Sequence, residues 1–422
     1  MGNTPLKGST TDHAHRIHFH QARTSQKFLS NQHLWKLSSR YLQNLEEYLE
    51  TVIKGTPSQQ WIEFPDLYHF LQVHVTRAMI HSLMGSHLLE TNSTFIEDFW
   101  TFDSHVPRLL RAFPRWMIPQ AYQARDRLLE TIKTWHAHAH AHADCTKLAD
   151  DDPEWEPYFG SKLVRARQEY ALKAHFMNAD ARASEDLGLL MASNGNAVPS
   201  VFWFIYESLK SNSSVRGSLS GEVAASTNHN GELDIQKLIR QPLLQSMYAE
   251  VLRLYVGIGT ARQSDSEPFQ LGGYQIPKRE PFIIFSRHPA LNSEAWAAAG
   301  RARAETAPLD EFYPERFLVP KTKNESGSSE KTGFDFSLEG LAGLWLPYGG
   351  GQRMCPGRHF AKNEIIGTFA LLTREYDMEL TGSARHQHTK PDLRWFPSGA
   401  LPPVGKVPFR IRKRVHSTPR GL

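Results

Sequence analysis

Apolar residues along this chain recur mostly at helical spacing. From Lys27 to about Lys54 the set Phe28, Leu29, Leu34, Leu37, Leu42, Leu45 and Leu49 follows a 3.6-residue period, which predicts a helix. Residues 62–147 read as several helices broken at Pro65, Pro107, Pro114 and Pro119, because proline ends or opens helices. An acidic, proline-containing linker, DDDPEWEP, occupies 150–157, and a further helix runs to about Ala179. A long helix is expected from near Glu185 to Lys210, a Ser-, Asn- and Gly-rich loop over 211–232, and a compact helix from Pro242 to about Tyr255. PFIIFS at 281–286 reads as a strand, and a helix follows from about Arg358 to Tyr376. The segments flanking Gly399 read as hairpins, RIRKR at 410–414 as a solvated tail, and 321–334 as a Ser-, Lys- and Gly-rich excursion. Helices dominate, with small sheets gathered late: a mainly α, α+β fold.

Residues 1–25 lack the periodicity and are expected to be poorly ordered, leaving 26–422 as one domain. With 422 residues, 40% of them hydrophobic, the chain can bury a large core. A net charge of +4 is too mild to argue for nucleic acid. The longest apolar run, Ala197–Tyr206, is too short to span a bilayer, so the chain as given is expected to be soluble or at most peripheral. Two cysteines, Cys145 and Cys355, make no disulfide framework and fit a reducing compartment.

Cys355 stands in LPYGGGQRMCPGRHF, residues 346–360. Gly349, Gly350, Gly351 and Gly357 allow tight turns and close approach to a flat ring. The helix after Cys355 presents its N-terminus to the sulfur, which favours a thiolate. Arg353 supplies a cation for a carboxylate.

The spacing of Tyr348, Gly351, Arg353, Cys355 and Gly357, with Ala361 and Glu364 beyond, resembles the haem-binding signature of the cytochrome P450 family, with Tyr348 where that family usually has Phe. The resemblance covers nearly the whole chain. It implies haem b with Cys355 as axial iron ligand, Arg353 on a propionate, and the fold of that family. Glu250 and Arg253 in AEVLRL, with Arg316 in FYPERF, resemble its buried charge triad, and Arg262 matches a second propionate-binding arginine. It also implies a lipophilic substrate such as a terpenoid, steroid or polyketide, electrons from NADPH-cytochrome P450 reductase, and residence at the endoplasmic reticulum membrane, although no anchor is present and the chain is otherwise expected in the cytoplasm.

The family's central helix usually carries an acid and a threonine beside bound oxygen. Aligned on Ala192 and Trp203, this chain has Gly195 and Asn196 there. Pro199 cannot donate to the Gly195 carbonyl, so the helix is expected to open, leaving that carbonyl and the Asn196 amide free near the iron. Asn-x-x-Pro resembles the branch of cholesterol 7α-hydroxylase and prostacyclin synthase, and the wording around the motifs resembles filamentous-fungal members serving secondary metabolism. That branch leaves two chemistries open: monooxygenation, and peroxide rearrangement without a reductase.

The resemblance begins late, at what looks like the third major helix, Lys27–Leu49, without the family's anchor, first strands and early helices. The expectation is a truncated chain rather than a decayed, non-catalytic relative, because the haem-core motifs are intact. Lys27 is the candidate cation of that helix; Trp35 and Arg40 stand five apart where four is usual. HAHAHAHAD at 136–144 is read as an exposed helix end rather than a metal site, the Phe202–Phe204 cluster as core, and Val198, the residues flanking Asn196 and the tip near Gly399 and Ala400 as pocket wall.

Overall fold

The computed structural model describes residues 12, 15–55, 57, 59–264, 267–301, 306–321, 333–351 and 354–415. Arg353 and most of the 321–334 excursion lie outside the described residues.

The N-terminal half is helical: α1 (Ile17–Phe28), α2 (Asn31–Ile53), α3 (Leu67–Met84), α4 (His87–Glu90), α5 (Phe95–Asp103), α6 (Val106–Leu110), α7 (Pro119–His142), α8 (Lys162–Lys173), α9 (Ala179–Asn194) and α10 (Ala197–Lys210). Then come α11 (Ser213–Ala225), α12 (Ile235–Leu238), α13 (Pro242–Tyr255), α14 (Arg287–Ala290), α15 (Ser293–Ala298) and α16 (Arg358–Glu375). The strands are β1 (Ile62–Phe64), β2 (Trp155–Glu156), β3 (Gly160–Ser161), β4 (Val256–Arg262), β5 (Phe269–Leu271), β6 (Tyr274–Ile276), β7 (Phe282–Phe285), β8 (Leu318–Pro320), β9 (Phe334–Phe336), β10 (Tyr376–Leu380), β11 (Ser398–Ala400) and β12 (Phe409–Lys413). They pair antiparallel in the orders β1-β12-β10 and β11-β4-β7, with three two-stranded ribbons.

The core gathers where α2, α3, α10 and α16 pack together. Phe202, Trp203 and Phe204 are buried at its centre, as their run of apolar positions predicts. Trp203 stacks on Tyr255 at 3.8 Å and donates its indole N–H to the Leu401 carbonyl at 2.7 Å, so α10 is tied to both α13 and the late strands.

Several expectations need correction. Residues 17–25, expected to be poorly ordered, are helical: α1 lies against α8, and His20 stacks on Tyr170 at 5.1 Å. Its apolar period is diluted by histidines, which pack here as partial hydrophobes. The 211–232 loop contains α11. Val215, Leu219 and Val223 form an i, i+4, i+8 stripe within a polar composition, and Asn212 caps the helix through the Val215 N–H at 2.9 Å. The segments flanking Gly399 do close on each other, Pro391 bridging Pro403 and Asp392 N–H donating to the Pro402 carbonyl at 2.8 Å, but the named strands pair elsewhere: β11 with β4, and β12 with β1 and β10. RIRKR lies in β12, where Arg410 and Arg412 pair with Glu379 and Asp377 and cover Trp61. Alternation of Phe409 and Ile411 inward with arginines outward is a half-buried strand, and its charge hides that signal.

The histidine run also differs from a simple exposed end. His136 is buried against Asp186 at 2.8 Å, and His138 stacks between His87 and His142. Among the described residues no His/Cys/Asp/Glu group is arranged to hold a metal ion. No helix among them is long and apolar enough to cross a membrane.

Candidate functional site

A cavity of about 530 Å³ lies between α9–α10 on one side and the Cys355 loop with α16 on the other. Its apolar wall includes Leu29, Leu83, Leu189, Leu252, Ile258 and Phe360, and Cys355 sits at one face and Asn196 at another.

The cysteine loop is built by two turns. Gly349 and Gly351 have φ of +70° and +71°, which side-chain-bearing residues rarely adopt. Cys355 N–H donates to the Tyr348 carbonyl at 3.1 Å, closing the loop. Gly357 has an ordinary φ of −82°; it is the residue just before α16, and a Cβ there would lie 3.9 Å from Cys355 Sγ. The sulfur receives the backbone N–H groups of Gly357 and Arg358. Burial pushes the thiol pKa up, and those N–H groups with the Arg358 charge pull it back. Without a cation on the sulfur, burial wins; a bound metal ion would reverse that balance, since coordination deprotonates a thiol outright. Cys145, buried and pushed up to about 12, has no such donors.

Tyr348 lies beside Cys355, and its hydroxyl is hydrogen-bonded to the Tyr248 hydroxyl of α13. Burial raises both phenols far above their ordinary value, so both stay neutral. Glu364, one helical level down α16, is buried at the cavity's edge, and desolvation lifts its carboxyl well above the usual range.

Behind this wall sits the charge network. Arg253 meets Glu250 with Nε at 2.6 Å and Nη2 at 2.8 Å, and Arg316 Nε reaches Glu250 Oε1 at 2.9 Å, with all three side chains fully buried. The arginines spend further donors on the carbonyls of Ala290, Leu309, Ala307 and Pro308. Arg262 is placed at the end of β4, donating to Gly350 and Ala261 carbonyls at 2.8 and 2.9 Å. It braces the glycine loop and does not line the cavity.

The helix break falls at Gly195–Asn196. Pro199 has no N–H for the Gly195 carbonyl, while Ser200 binds the Asn196 carbonyl through its hydroxyl at 2.8 Å. The Asn196 amide was expected to be free, and it is only partly so. Its Oδ1 accepts the Ala400 N–H at 2.8 Å, leaving the NH₂ end without a protein partner among the described residues. That contact needs Gly399, whose hypothetical Cβ would lie 2.1 Å from Oδ1. Of the expected wall residues, Ala197 beside Asn196 lines the cavity, whereas Val198 is fully buried outside it; Ser200 lines it as well. Ala400 is buried beneath the wall rather than at its surface.

The sequence pattern missed one part of the site. Gln21 and Ser25 bring α1 to the cavity, with Arg167 of α8 and Glu185 of α9 opposite. Arg167 binds the Glu185 carbonyl at 2.8 Å, and Gln21 is hydrogen-bonded to Glu185. α2 packs into the core, and the helix at the cavity wall is α1. Lys27 is exposed and 3.5 Å from Asp150; Arg40 stacks on Trp155 at 4.3 Å. A small-and-polar stripe at 184, 185, 188, 192, 193 and 196 was the available signal.

Comparison with known proteins bears on what fills the cavity. The sequence model of the Cytochrome P450 family matches residues 7–402. A cytochrome P450 monooxygenase of Humicola fuscoatra is 38% identical over 94% of this chain and 70% of its own. One from Hormonema carpetanum is 34% identical over 92% and 71%. The cholesterol 7-alpha-monooxygenase of Cricetulus griseus is 24% identical over 97% and 76%.

Proposed function

The chain belongs to the cytochrome P450 family of oxygen-incorporating oxidoreductases, and from that premise we propose that it is a reductase-fed monooxygenase. It would hydroxylate or otherwise oxidise a lipophilic small molecule such as a terpenoid, steroid or polyketide in fungal secondary metabolism. The observation that carries this reading is Cys355, with two backbone N–H groups on its sulfur, facing a largely apolar cavity of cofactor size.

The residues present fit haem. Cys355 would be the axial ligand, Gly351 and Gly357 would let the ring approach, and Arg353 would face a propionate, while Arg262, expected on a second one, holds the Gly350 carbonyl instead. We take the group as haem b, held in one unit that includes α1, because Gln21 and Ser25 line the cavity. When bound it supplies the redox chemistry, with thiolate electron density favouring O–O cleavage. The chain's own residues do the rest. The leucines and Phe360 exclude water, Tyr348 shields the sulfur, and the Asn196 NH₂ end offers a donor at the opposite face.

The test is a reduced carbon monoxide difference spectrum, followed by turnover with NADPH-cytochrome P450 reductase. Thiolate-type absorption and turnover requiring both reductase and oxygen support the reading. Turnover of a hydroperoxide without either would assign peroxide rearrangement instead, and a colourless protein a non-catalytic chain. Asn196→Ala is expected to lower coupled turnover about a hundredfold, the low end of the roughly 10²–10³ range for a single lost preorganised donor. It should raise peroxide release per NADPH; unchanged coupling would remove Asn196 from the site.

We also place the protein at a membrane surface. Leu110, Trp116 and Met117 are exposed by 71%, 80% and 49%, and the exposed Arg108, Arg111 and Arg115 flank them. Such a mixture suits an anionic lipid interface. Trp116→Ser is expected to weaken binding to phosphatidylserine-containing vesicles by about ten- to a hundredfold, from roughly 1.5–3 kcal/mol of lost burial. Equal sedimentation of both proteins with the vesicles would refute it.

A further inference from the structure

Asp103, the last residue of α5, is a buried carboxyl that nothing above uses. It is 4% exposed, and no donor among the described residues binds it. Its neighbour is the α9–α10 break: a Cβ built on Gly195 would lie 2.8 Å from Asp103 Oδ1. The carboxyl thus fills the space that a side chain at Gly195 would take, one residue from Asn196, which faces the cavity.

A buried ionic group is normally paired. Asp103 is not. From α3 the titratable group facing it is Tyr68. On α7, Arg127 is committed to Asp98 of α5 itself at 3.0 Å. The break presents only Asn194, Gly195 and Asn196, all uncharged. Desolvation alone therefore pushes the Asp103 pKa up to about 7, where a carboxyl exchanges protons most effectively near neutral pH.

Resting on the monooxygenase reading, we propose that Asp103 is the proton-relay residue of the cavity, holding a proton behind the Gly195–Asn196 break and releasing it towards the cavity side. It acts as a positioning and relay group, since it does not line the cavity. Insertion of one atom of O₂ into a C–H bond, with the other leaving as water, consumes two electrons and two protons. The electrons come from NADPH through the reductase. Each proton passes from the Asp103 carboxylic acid to water bridging the Gly195 carbonyl and the Asn196 amide, and the carboxylate left behind is reprotonated from solvent. Without substrate, the same two electrons and two protons reduce O₂ to hydrogen peroxide, so the relay is measurable before any substrate is known.

The experiment uses the holoprotein with reductase and NADPH, no substrate added, and reads peroxide formation from about pH 5.5 to about pH 8.5. The wild-type rate is expected to fall as pH rises through about 7, as the acid form is lost. Asp103→Asn should run about tenfold or more slower, with that pH step gone. A double variant, Asp103→Ala with Gly195→Asp, returns a carboxyl to the same space from the other side and should restore rate and step. A second readout needs no catalysis. Because the native pKa lies above the unfolded one, native protein binds more protons, and wild-type stability should decline between about pH 4 and about pH 7. Asp103→Asn should lack that part of the decline in denaturant midpoints.

A pH-independent wild-type rate, an Asp103→Asn profile that overlays the wild type, or a loss the double variant fails to restore overturns the relay. An intact carbon monoxide band in those proteins leaves the monooxygenase reading standing. A wild type without the band overturns that reading itself.

Discussion

Cys355→Ser is expected to abolish thiolate-type absorption and reductase-driven turnover while leaving the chain folded. Partners one step removed from a metal commonly cost 10–100-fold in affinity or activity when lost, so removal of the proposed ligand should exceed that range. Serine keeps the size and still accepts the Gly357 and Arg358 N–H groups that now reach the sulfur. Its hydroxyl, however, resists deprotonation at neutral pH and donates far less electron density to iron. The comparison is informative because Cys145→Ser should change nothing at the cofactor: that thiol is buried away from the cavity and held protonated by desolvation. The check is the reduced carbon monoxide spectrum and haem content of both variants, purified side by side. A Cys355→Ser protein with the wild-type spectrum would remove the proposed ligand from the mechanism.

Glu250→Gln is expected to cost about 3–5 kcal/mol of stability, the range for leaving buried charges without their partner. Glutamine keeps the shape but not the charge, so two fully buried guanidiniums would share a neutral acceptor. The Tyr313 N–H, which now donates to Glu250 Oε1 at 2.9 Å, would compete for the same oxygen. Replacing all three members by apolar residues should not rescue the protein, although buried triads elsewhere tolerate such exchange. Here the arginines also carry the carbonyls of Ala290, Leu309, Ala307 and Pro308, which would be left without donors. Urea unfolding of the haem-loaded protein measures the loss. A midpoint within experimental error of the wild type would mean that the network is not what holds α13 to the segment around Arg316.

The elements that the chain declared most plainly are those whose local signals agree. Pro242 opens α13 and an apolar face carries it to Tyr255, where β4 begins. The spacing of Glu250 and Arg253 on that helix anticipates their pairing, though not the burial that decides its cost. The glycines and cysteine of 349–357 are legible because a tight loop, a thiol and a helix start must follow one another within a few residues. The break at Gly195–Asn196 is legible because Pro199 removes one specific backbone hydrogen bond. α11 and β12 were misread because polar and charged residues outnumber a thin apolar stripe that matters only once a partner surface covers it.

By itself, then, the sequence determined a helical P450 chain with one loop able to present a thiol and one interrupted helix opposite it, since both are local events governed by neighbouring residues. Only the tertiary structure decided that Gln21 and Arg167 share the cavity, that Gly399 and Ala400 engage Asn196, and that Asp103 stands against Gly195. Those meetings join residues far apart along the chain. Their distances come from how whole helices pack, and the protonation of a group such as Asp103 is set by the water that packing removes.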